Sequence, residues 1–440
     1  MNVKAFKTKQ NETPMRLVTD FTVQDDIGYE NKVINIHPEV EYQTITGFGG
    51  AFTEAASTTL DKMSPEKRAQ VIKLYFDPAE GIGYNAGRVH INSCDFSLGN
   101  YTYVEEGDET LATFTIEHDR ASILPMIKEA MQYGEINLLA SPWSPPPYMK
   151  TTGMMNKGGK LKPEYYPLWA EYFERFIEAY RAEGVNVTSV TVQNEPCATQ
   201  TWDSCVWTAE EERDFIRDHL GPRMQKLGVK LFFWDHNKER VVERAQVVLG
   251  DPAAAQYVAG TAFHWYSGDH FSQLDMFNRL YPDKELIFSE GCYEYSRGMI
   301  DVVKIGERYA HDMIGNFNNY MNSFLDWNLL LNEKGGPNHV GNFCDSPIML
   351  DTEKDEIQIH TSYYYIGHFS KYVKCGAVRI GSSKFGEEIE TVSFKNPDGT
   401  IVTVVLNRTD SDVEFRFRLH GKVVLATAEA HSIATYLFEE

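Results

Sequence analysis

Eight short apolar runs in the middle of the chain constrain its fold more than any other feature. Each run is rich in β-branched or aromatic residues, and the runs cover residues 45–51, 86–91, 136–140, 187–192, 230–234, 258–264, 285–289 and 322–328. Helix signals separate them, such as the cap and first-turn proline at Ser64-Pro65 and the capping box that begins at Thr208. Eight strands that alternate with helices predict an α/β protein built on a (β/α)8 TIM barrel.

The two ends of the chain have a different pattern. Residues 413–419 alternate between apolar and polar side chains, which is typical of a half-buried antiparallel strand, and Asn396-Pro397-Asp398-Gly399 predicts a hairpin turn. Strand-like runs near residues 16–36 are too few to be stable alone. We therefore expect an appended antiparallel β-sandwich formed by both ends, with the chain divided into 1–44, a catalytic barrel at 45–370, and 371–440.

Composition excludes several classes of function. The chain has 440 residues and a net charge of −21, which disfavours binding to nucleic acids and to anionic membranes. No run of about 18 apolar residues is present, so we expect no stable membrane insertion. The first 15 residues lack the apolar core of a secretory signal, which predicts a cytoplasmic location. The pattern indicates no particular oligomeric state.

Two glutamates follow predicted strands. Glu195 lies in Gln193-Asn194-Glu195-Pro196, after the fourth run, and Glu290 ends the seventh run in Ser289-Glu290-Gly291. A carboxylate at the end of a buried strand is costly to desolvate, so such a residue usually has a function. In a parallel barrel both would emerge at the C-terminal face, where barrel enzymes carry out chemistry. Two carboxylates that face each other across a sugar are the working groups of a glycosidase.

Nine short motifs in a fixed order make the pattern specific. Each lies at a predicted strand end or in a loop, and the likeness that they carry extends from about residue 40 to the end of the chain. The chain resembles glycoside hydrolase family 30, and most of all its glucosylceramidase-type branch, in Gly47-Phe48-Gly49-Gly50, Cys94-Asp95-Phe96-Ser97, Ser141-Pro142-Trp143-Ser144, Asn194-Glu195-Pro196, His264-Trp265-Tyr266, Ser289-Glu290-Gly291-Cys292, Asp326-Trp327-Asn328, Gly335-Gly336-Pro337-Asn338 and Gly367-His368-Phe369-Ser370.

The resemblance implies a retaining mechanism, in which Glu195 is the acid/base and Glu290 is the nucleophile. A retaining pair needs carboxyl groups about 5 Å apart. We expect burial and the neighbouring carboxylate to raise the pKa of Glu195, so that it carries a proton near neutral pH, while Glu290 stays ionised. The resemblance implies a carbohydrate substrate, and we expect neither a metal nor an organic cofactor.

Three further residues on the predicted strands are expected to support the pair. Arg88 lies within the second strand, and an arginine inside a barrel needs an anion, for which Glu290 is the natural partner. His264 and Tyr266 are two positions apart on the sixth strand, so both side chains can point into the barrel mouth. Tyr266 would then donate a hydrogen bond to Glu290, while His264 would orient groups nearby.

Other residues are expected to contact the sugar or the leaving group. The Asn194 amide can bind the sugar 2-hydroxyl. Asp95 and Trp143 resemble family residues that bind the distal hydroxyls of a terminal sugar, with Asp95 as a bidentate acceptor. Trp143 and Trp327 are also predicted to stack on sugar faces. We expect Asn342 to shape the leaving-group side, and the segment 141–160, with Tyr148 and its methionines, to be a binding loop there.

These features favour a retaining exo-β-glycosidase that removes a terminal β-D-glucosyl residue from a glycoside or a glucosylceramide-like substrate. A β-xylosidase or a β-1,6-glucanase of the same family is the alternative within this class. A non-catalytic carbohydrate-binding barrel is the alternative from another class. A metal-dependent hydrolase that uses His90, His236 and His264 is disfavoured, because the sequence lacks the HxH and HExxH spacings.

Overall fold

The first strands of the chain belong to the same sheet as the last ones. The computed structural model describes residues 1–10, 12–298 and 301–439. Numbered along the chain, the first strands are β1 (Asn2–Lys9), β2 (Arg16–Val18), β3 (Val23–Asp25) and β4 (Val33–Thr44). Strand β4 ends at the point where the barrel begins.

The eight apolar runs form a closed barrel of parallel strands. The strands are β5 (Gly47–Ala51), β6 (Ala86–Ile91), β7 (Asn137–Pro142), β8 (Val187–Thr191), β9 (Lys230–Asn237), β10 (Val258–His264), β11 (Glu285–Glu290) and β12 (Ser323–Asn328). They follow one another around the barrel in chain order, and β12 pairs with β5 to close it. The predicted (β/α)8 barrel is confirmed, and each predicted run overlaps one barrel strand.

Helices lie between successive barrel strands and cover the barrel. The Ser64 hydroxyl caps α2 (Pro65–Phe76), and Thr208 with Glu211 forms the predicted capping box of α6 (Ala209–Phe215). The apolar stripe of α5 (Tyr166–Ala182) is buried from Trp169 to Tyr180. The helices are α1 (Glu54–Leu60), α2 (Pro65–Phe76), α3 (Glu117–Arg120), α4 (Ile123–Ala130), α5 (Tyr166–Ala182), α6 (Ala209–Phe215), α7 (Gly221–Leu227), α8 (Val241–Val248), α9 (Pro252–Ala255), α10 (Phe271–Leu280), α11 (Val302–Asn318) and α12 (Thr361–Ser370).

A small sheet follows the last barrel strand. It contains β13 (Leu330–Asn332), β14 (Ile348–Asp351) and β15 (Glu356–Ile359), with β14 in the centre. The connection between β13 and β14, residues 333–347, contains Asn342 and reaches the rim of the barrel mouth. None of the helices in the described ranges combines the length and the apolar character needed to cross a bilayer.

The remaining strands complete a ten-stranded sheet with the first four. They are β16 (Val378–Ser383), β17 (Glu390–Lys395), β18 (Ile401–Asn407), β19 (Val413–Leu419), β20 (Lys422–Ala428) and β21 (Ser432–Glu439). The sheet curls around its own core, where Phe417 of β19 contacts Tyr436 of β21 with ring centroids 4.6 Å apart. All neighbouring strands are antiparallel except β4 and β19. The expected joining of the two chain ends is confirmed, and we propose that the domains divide at residues 1–44, 45–370 and 371–440.

Candidate active site

Both glutamates singled out in the sequence line one pocket at the C-terminal mouth of the barrel. Glu290 is the last residue of β11, so the strand itself fixes its backbone. Glu195 lies four residues beyond the end of β8, in a loop whose backbone it turns with a left-handed φ of 48°. The barrel thus brings together two carboxylates that are 95 residues apart in the chain.

The two carboxylates are close enough to act on the same atom. One carboxylate oxygen of each glutamate and one ring nitrogen of His264 all lie within 4.8 Å of one another. Pairs that work with retention of configuration have carboxyl groups about 5–5.5 Å apart, whereas inverting pairs are about 6.5–9.5 Å apart to admit a water molecule. The two oxygens are thus closer together than the carboxyl groups of an inverting pair.

Arg88 contacts Glu290, as expected from its place within β6. Its Nη1 donates to Glu290 Oε2 at 2.6 Å, and its Nη2 donates to Asp235 Oδ2 at 2.7 Å and to Asn194 Oδ1 at 3.0 Å. The side chain is fully buried. A buried guanidinium between two carboxylates has its charge balanced, and its fixed fork of donors orients both.

Asp235 is a central residue of the site that the sequence analysis did not single out. It accepts hydrogen bonds from Arg88, from Thr191 Oγ1 at 2.7 Å and from Ser289 Oγ at 2.5 Å. Burial alone would raise the pKa of Asp235, but the positive charges of Arg88 and His264 hold that pKa well below its usual range. Its position at the end of the fifth apolar run was the signal that could have identified it.

His264 connects Asp235 to Glu195. Its Nε2 lies 3.0 Å from Asp235 Oδ1, and its Nδ1 lies 3.2 Å from Glu195 Oε1. Burial favours the neutral ring, but the negative charges of Glu290, Asp235 and Glu195 outweigh it and raise the pKa of His264 to about 9. The ring is therefore an imidazolium at neutral pH and donates from both nitrogens. An imidazolium has no lone pair for a cation, so Glu195, His264 and Glu290 fit a metal poorly despite their spacing.

The pKa values of the two glutamates differ from the expectation. Burial raises the pKa of Glu290 above its ordinary value, and the charges of His264 and Arg88 only partly oppose this. Burial also acts on Glu195, but the His236 and His264 rings lower its pKa below the ordinary value. The expectation of a raised pKa on Glu195 counted burial and the second carboxylate, and it did not count the two imidazoles.

Tyr266 forms a hydrogen bond to the second carboxylate oxygen of Glu290. Its hydroxyl donates to Glu290 Oε1 at 3.0 Å, the contact expected from its place two residues after His264. Arg88 and Tyr266 thus hold one oxygen each, and the orientation of the carboxylate is fixed. We call the interconnected residues of this part of the pocket the inner network, which consists of Arg88, Glu195, Asp235, His264, Tyr266 and Glu290.

Trp143 and Trp327 form a stacked pair beneath the pocket. Their ring centroids are 5.2 Å apart, and their planes differ by 17°. The guanidinium carbon of Arg88 lies 4.8 Å from one ring centroid and 5.5 Å from the other. Both rings line the pocket, but both are almost entirely buried against protein. The pair contacts Arg88, and little of either ring is exposed to the pocket.

Asn194, Asp95 and Asn342 also line the pocket. Asn194 uses its oxygen to accept from Arg88, and among the described residues its Nδ2 has no partner, so this donor is available to a ligand. Asp95 receives a hydrogen bond from Asn338 Nδ2 at 3.3 Å. Burial, followed by the charges of Glu290 and Asp203, raises the pKa of Asp95 well above its usual range.

Two family models match the chain almost from end to end. The model described as the glycosyl hydrolase family 30 TIM-barrel domain matches residues 45–373, and the family 30 beta sandwich domain matches residues 376–436. The chain belongs to glycoside hydrolase family 30. It is accordingly a glycoside hydrolase that acts on a carbohydrate substrate, as the sequence motifs predicted.

The relatives of this family 30 hydrolase include both a glucosylceramidase and an endo-β-1,6-glucanase. The lysosomal acid glucosylceramidase of Mus musculus is 37% identical over 430 residues, which are 92% of this chain and 83% of that protein. The crystal structure of SrfJ from Salmonella typhimurium is 38% identical, with a TM-score of 0.96 over the whole of both chains. The structure of an endo-β-1,6-glucanase is 29% identical, with a TM-score of 0.90 over the whole of both chains.

The loop after β7 in this family 30 hydrolase does not form the leaving-group side of the pocket. Tyr148 donates to the Asp108 carbonyl at 2.7 Å, and Met149 and Met155 are buried. Within the described ranges, Trp143 is the one residue of segment 141–160 that lines the pocket. Contrary to the expectation, Tyr148, Met149 and Met155 do not line the pocket, because they pack into the body of the protein, and Met154 is exposed but lies outside the pocket. The partly or fully exposed residues that line the pocket include Gln200, Trp202, Asn237, Glu294, Arg297 and Asn342.

Proposed function

We propose that this hydrolase removes a terminal β-D-glucosyl unit from its substrate with retention of configuration. The observation that carries the proposal is the separation of the Glu195 and Glu290 oxygens, which is at most 4.8 Å. This distance leaves too little room for a water molecule to attack directly, and it suits a covalent intermediate.

In the first step, a Glu290 oxygen bonds to the anomeric carbon, and the bond from that carbon to the leaving oxygen breaks. The leaving oxygen takes the proton of Glu195 and departs as a hydroxyl group. Positive charge that develops on the sugar favours the ionised form of Glu290, so the proton held by the pair is driven to Glu195. Arg88 and Tyr266 keep the attacking carboxylate oriented.

In the second step, Glu195 takes a proton from a water molecule, whose oxygen bonds to the anomeric carbon and releases Glu290. The ester intermediate no longer carries the negative charge of Glu290, so the pKa of Glu195 falls. His236 and His264, which already lower this pKa, support the base form. The direction of the Glu195 pKa in the free protein thus matches its task in the second step.

Specificity for a terminal glucosyl unit is supported by the residues around the pair. Asp95, Trp143 and Asn194 line the pocket beside Glu290 and offer donors and acceptors to sugar hydroxyls. The 37% identity to a glucosylceramidase over 92% of the chain favours the same terminal sugar. Endo-action on a β-1,6-glucan is the second candidate, favoured by the full-length likeness to an endo-β-1,6-glucanase.

The experiment is a panel of aryl β-glycosides, consisting of the glucoside, xyloside, galactoside and fucoside, together with a β-1,6-glucan. We expect turnover of the glucoside, release of β-glucose as the first product, and loss of activity in Glu290→Ala. Cleavage of the glucan into internal fragments, with no turnover of the aryl glucoside, would replace exo-action with endo-action. Binding of sugars without any turnover would leave a carbohydrate-binding barrel as the function.

A further inference from the structure

The outer part of the pocket, where a leaving group would lie, is lined by polar side chains. We call this part the outer wall, which consists of Gln200, Trp202, Asn237, Glu294, Arg297 and Asn342. It comes from the loops after β8 and β11, from the end of β9 and from the connection between β13 and β14. The outer-wall residues are partly or fully exposed, whereas Asp235 and Glu290 are buried, so the outer wall forms the solvent side of the pocket, through which a leaving group must pass.

Most hydrogen-bonding groups of the outer wall have no partner. Within the described ranges, the side-chain amides of Gln200 and Asn342 make no hydrogen bond, and Asn237 uses its oxygen alone, to accept from the Tyr266 backbone. Arg297 uses only its Nε, which donates to Glu294 Oε2 at 2.7 Å. Unpaired donors and acceptors around a pocket match a ligand with several hydroxyl groups.

The Arg297–Glu294 pair is held directly above the catalytic side of the pocket. The guanidinium carbon of Arg297 lies 5.9 Å from the centroid of the Tyr266 ring, and the Tyr266 hydroxyl donates to Glu290. Glu294 also pairs with Cys344 in an isolated β-bridge, which joins the loop after β11 to the connection after β13. A charged pair is therefore fixed at the place where a leaving group would exit.

Apolar side chains are scarce on this side. Leu98, Met154 and Phe343 are exposed on loops of the same barrel face, but none of the exposed large apolar residues in the described ranges lines the pocket. Trp202 is the one aromatic residue of the outer wall, and a tryptophan face suits a sugar ring as well as a lipid chain. An alkyl chain leaving the pocket would lie against charged and amide groups and would leave them unpaired, which is costly.

We propose that the leaving group is a saccharide, whose hydroxyls bind the Arg297–Glu294 pair, Gln200 and Asn237, and whose ring lies on Trp202. The natural substrate is then a β-linked glucosyl saccharide. The bond that breaks joins the anomeric carbon to a hydroxyl oxygen of the second sugar, which leaves with the proton from Glu195. This proposal rests on the proposed glucosidase function and specifies its substrate class.

The test compares three kinds of substrate by their kcat/KM. They are the β-1,2-, β-1,3-, β-1,4- and β-1,6-linked glucosyl-glucose disaccharides, octyl β-glucoside, and β-glucosyl fluoride, whose leaving group is too small to touch the outer wall. We expect at least one disaccharide to be a better substrate than octyl β-glucoside. In Arg297→Leu, kcat/KM for that disaccharide should fall at least about tenfold relative to the fluoride, the size expected for loss of charged hydrogen bonds.

Arg240→Leu is the matched control. Arg240 also pairs with a glutamate three residues away, Glu243, it also lies 5.9 Å from an aromatic centroid, that of Trp234, and its side-chain exposure is 46%, against 41% for Arg297. It lies outside the pocket, so all three kinds of substrate should be turned over as in the wild type. Glu294→Gln should repeat the selective loss.

The outcomes separate the two proposals. If octyl β-glucoside is preferred to every disaccharide, or if Arg297→Leu lowers fluoride and disaccharide turnover equally, the saccharide proposal is overturned while the glucosidase proposal stands. If the wild type turns over neither the fluoride nor any aryl β-glucoside, the glucosidase proposal itself fails.

Discussion

The inner network and the outer wall belong to the same pocket but are built differently. In the inner network, the single side chain of Arg88 donates hydrogen bonds to Glu290, Asp235, Asn194 and Ser141, and each of these contacts is buried. In the outer wall, the amides of Gln200 and Asn342 have no partner in the described part of the chain and are partly exposed. In the inner network, where we propose that the glycosidic bond breaks, the charged side chains are held in place before a substrate binds. In the outer wall, the unpaired amides can turn to suit different leaving groups.

The largest expected effect is that of Glu290→Ala. We propose that Glu290 is the nucleophile, so in its absence no covalent intermediate should form, and turnover of an aryl β-glucoside should fall by about 10⁴-fold or more. Steady-state kinetics with added azide measures this, because azide can replace the missing carboxylate and should restore turnover to give the α-glucosyl azide. Glu243→Ala, on the surface, is the control. Near-normal turnover in Glu290→Ala would show that another group is the nucleophile.

Arg88→Met tests whether the inner network acts as a unit. Removal of the Arg88 guanidinium leaves Asp235 and Glu290 buried without their counter-ion, which should lower the free energy of unfolding by about 3–5 kcal/mol. We expect kcat to fall roughly 10³-fold as the orientation of Glu290 is lost. Urea unfolding and kcat at 10 °C measure the two effects. A variant that loses activity but keeps its stability would argue against buried charge balance as the role of Arg88.

Asp235→Asn should change the pH dependence as well as the rate. The pKa of His264 is raised to about 9, above the value near 6.5 of an unfolded chain, so its contribution to stability is complete below pH 6.5 and is lost as pH rises through 9. Removing the Asp235 charge lowers the pKa of His264. We therefore expect the decline in unfolding free energy to move to lower pH, together with a roughly 10²-fold lower kcat/KM.

Measurements of urea unfolding at pH 6, 7.5 and 9 follow this change. Asp410→Asn is the control, because Asp410 lies 2.8 Å from His431 in a pair on the protein surface. If the wild type and Asp235→Asn decline over the same pH range, His264 does not depend on Asp235 for its charge.

Tyr266→Phe removes one hydrogen bond to Glu290 and leaves the ring in place. Loss of a hydrogen bond to a charged group is worth about 1.5–3 kcal/mol, so kcat/KM should fall by roughly 10- to 100-fold. The ratio of kcat/KM values for aryl glucosides with good and poor leaving groups should not change, since Glu195 is untouched. A strong dependence on the leaving group in this variant would place Tyr266 in proton transfer.

The smallest expected effect is on stability at the outer wall. Arg297→Leu removes an ion pair that is 41% exposed on the arginine side, and such pairs contribute about 0–1 kcal/mol. Its unfolding free energy should therefore stay within about 1 kcal/mol of the wild type, as for Arg240→Leu. A larger loss of unfolding free energy would mean that the outer wall also stabilises the inner network.

The spacing and type of the apolar residues predicted the barrel. Each strand is a short apolar run that ends before a residue such as glycine or proline, as Ile287-Phe288-Ser289-Glu290 does before Gly291. The same logic predicted that Arg88 and Tyr266 contact Glu290. Neighbouring parallel strands put their ends together, so an unpaired charge on one strand indicates its partner on another. The side chains of Trp143 and Trp327 were predicted at the pocket, but their stacking on each other was not.

The role of Asp235 depends on backbone detail that periodicity does not contain. Trp234 and Asp235 have left-handed φ values of 73° and 51°, and the pairing of β9 with β10 shifts register between Ala262 and Phe263. This irregularity turns the Asp235 carboxylate into the barrel. The pKa of Glu195 was predicted in the wrong direction for a similar reason, since the two imidazoles reach it from two other strands, β9 and β10.

The pairing of β1 with β21 sets an order of events during synthesis. Asn2 lies opposite Glu439 and Lys9 opposite Ser432, and the whole barrel is made between them. At about 5–20 residues per second, β1 waits roughly 20–90 s for its partner after leaving the ribosome. During that time its backbone donors and acceptors are an open edge that other chains can join. High concentrations of nascent chains and slow translation should therefore promote aggregation of this protein through its first strand, far from the residues of the candidate active site.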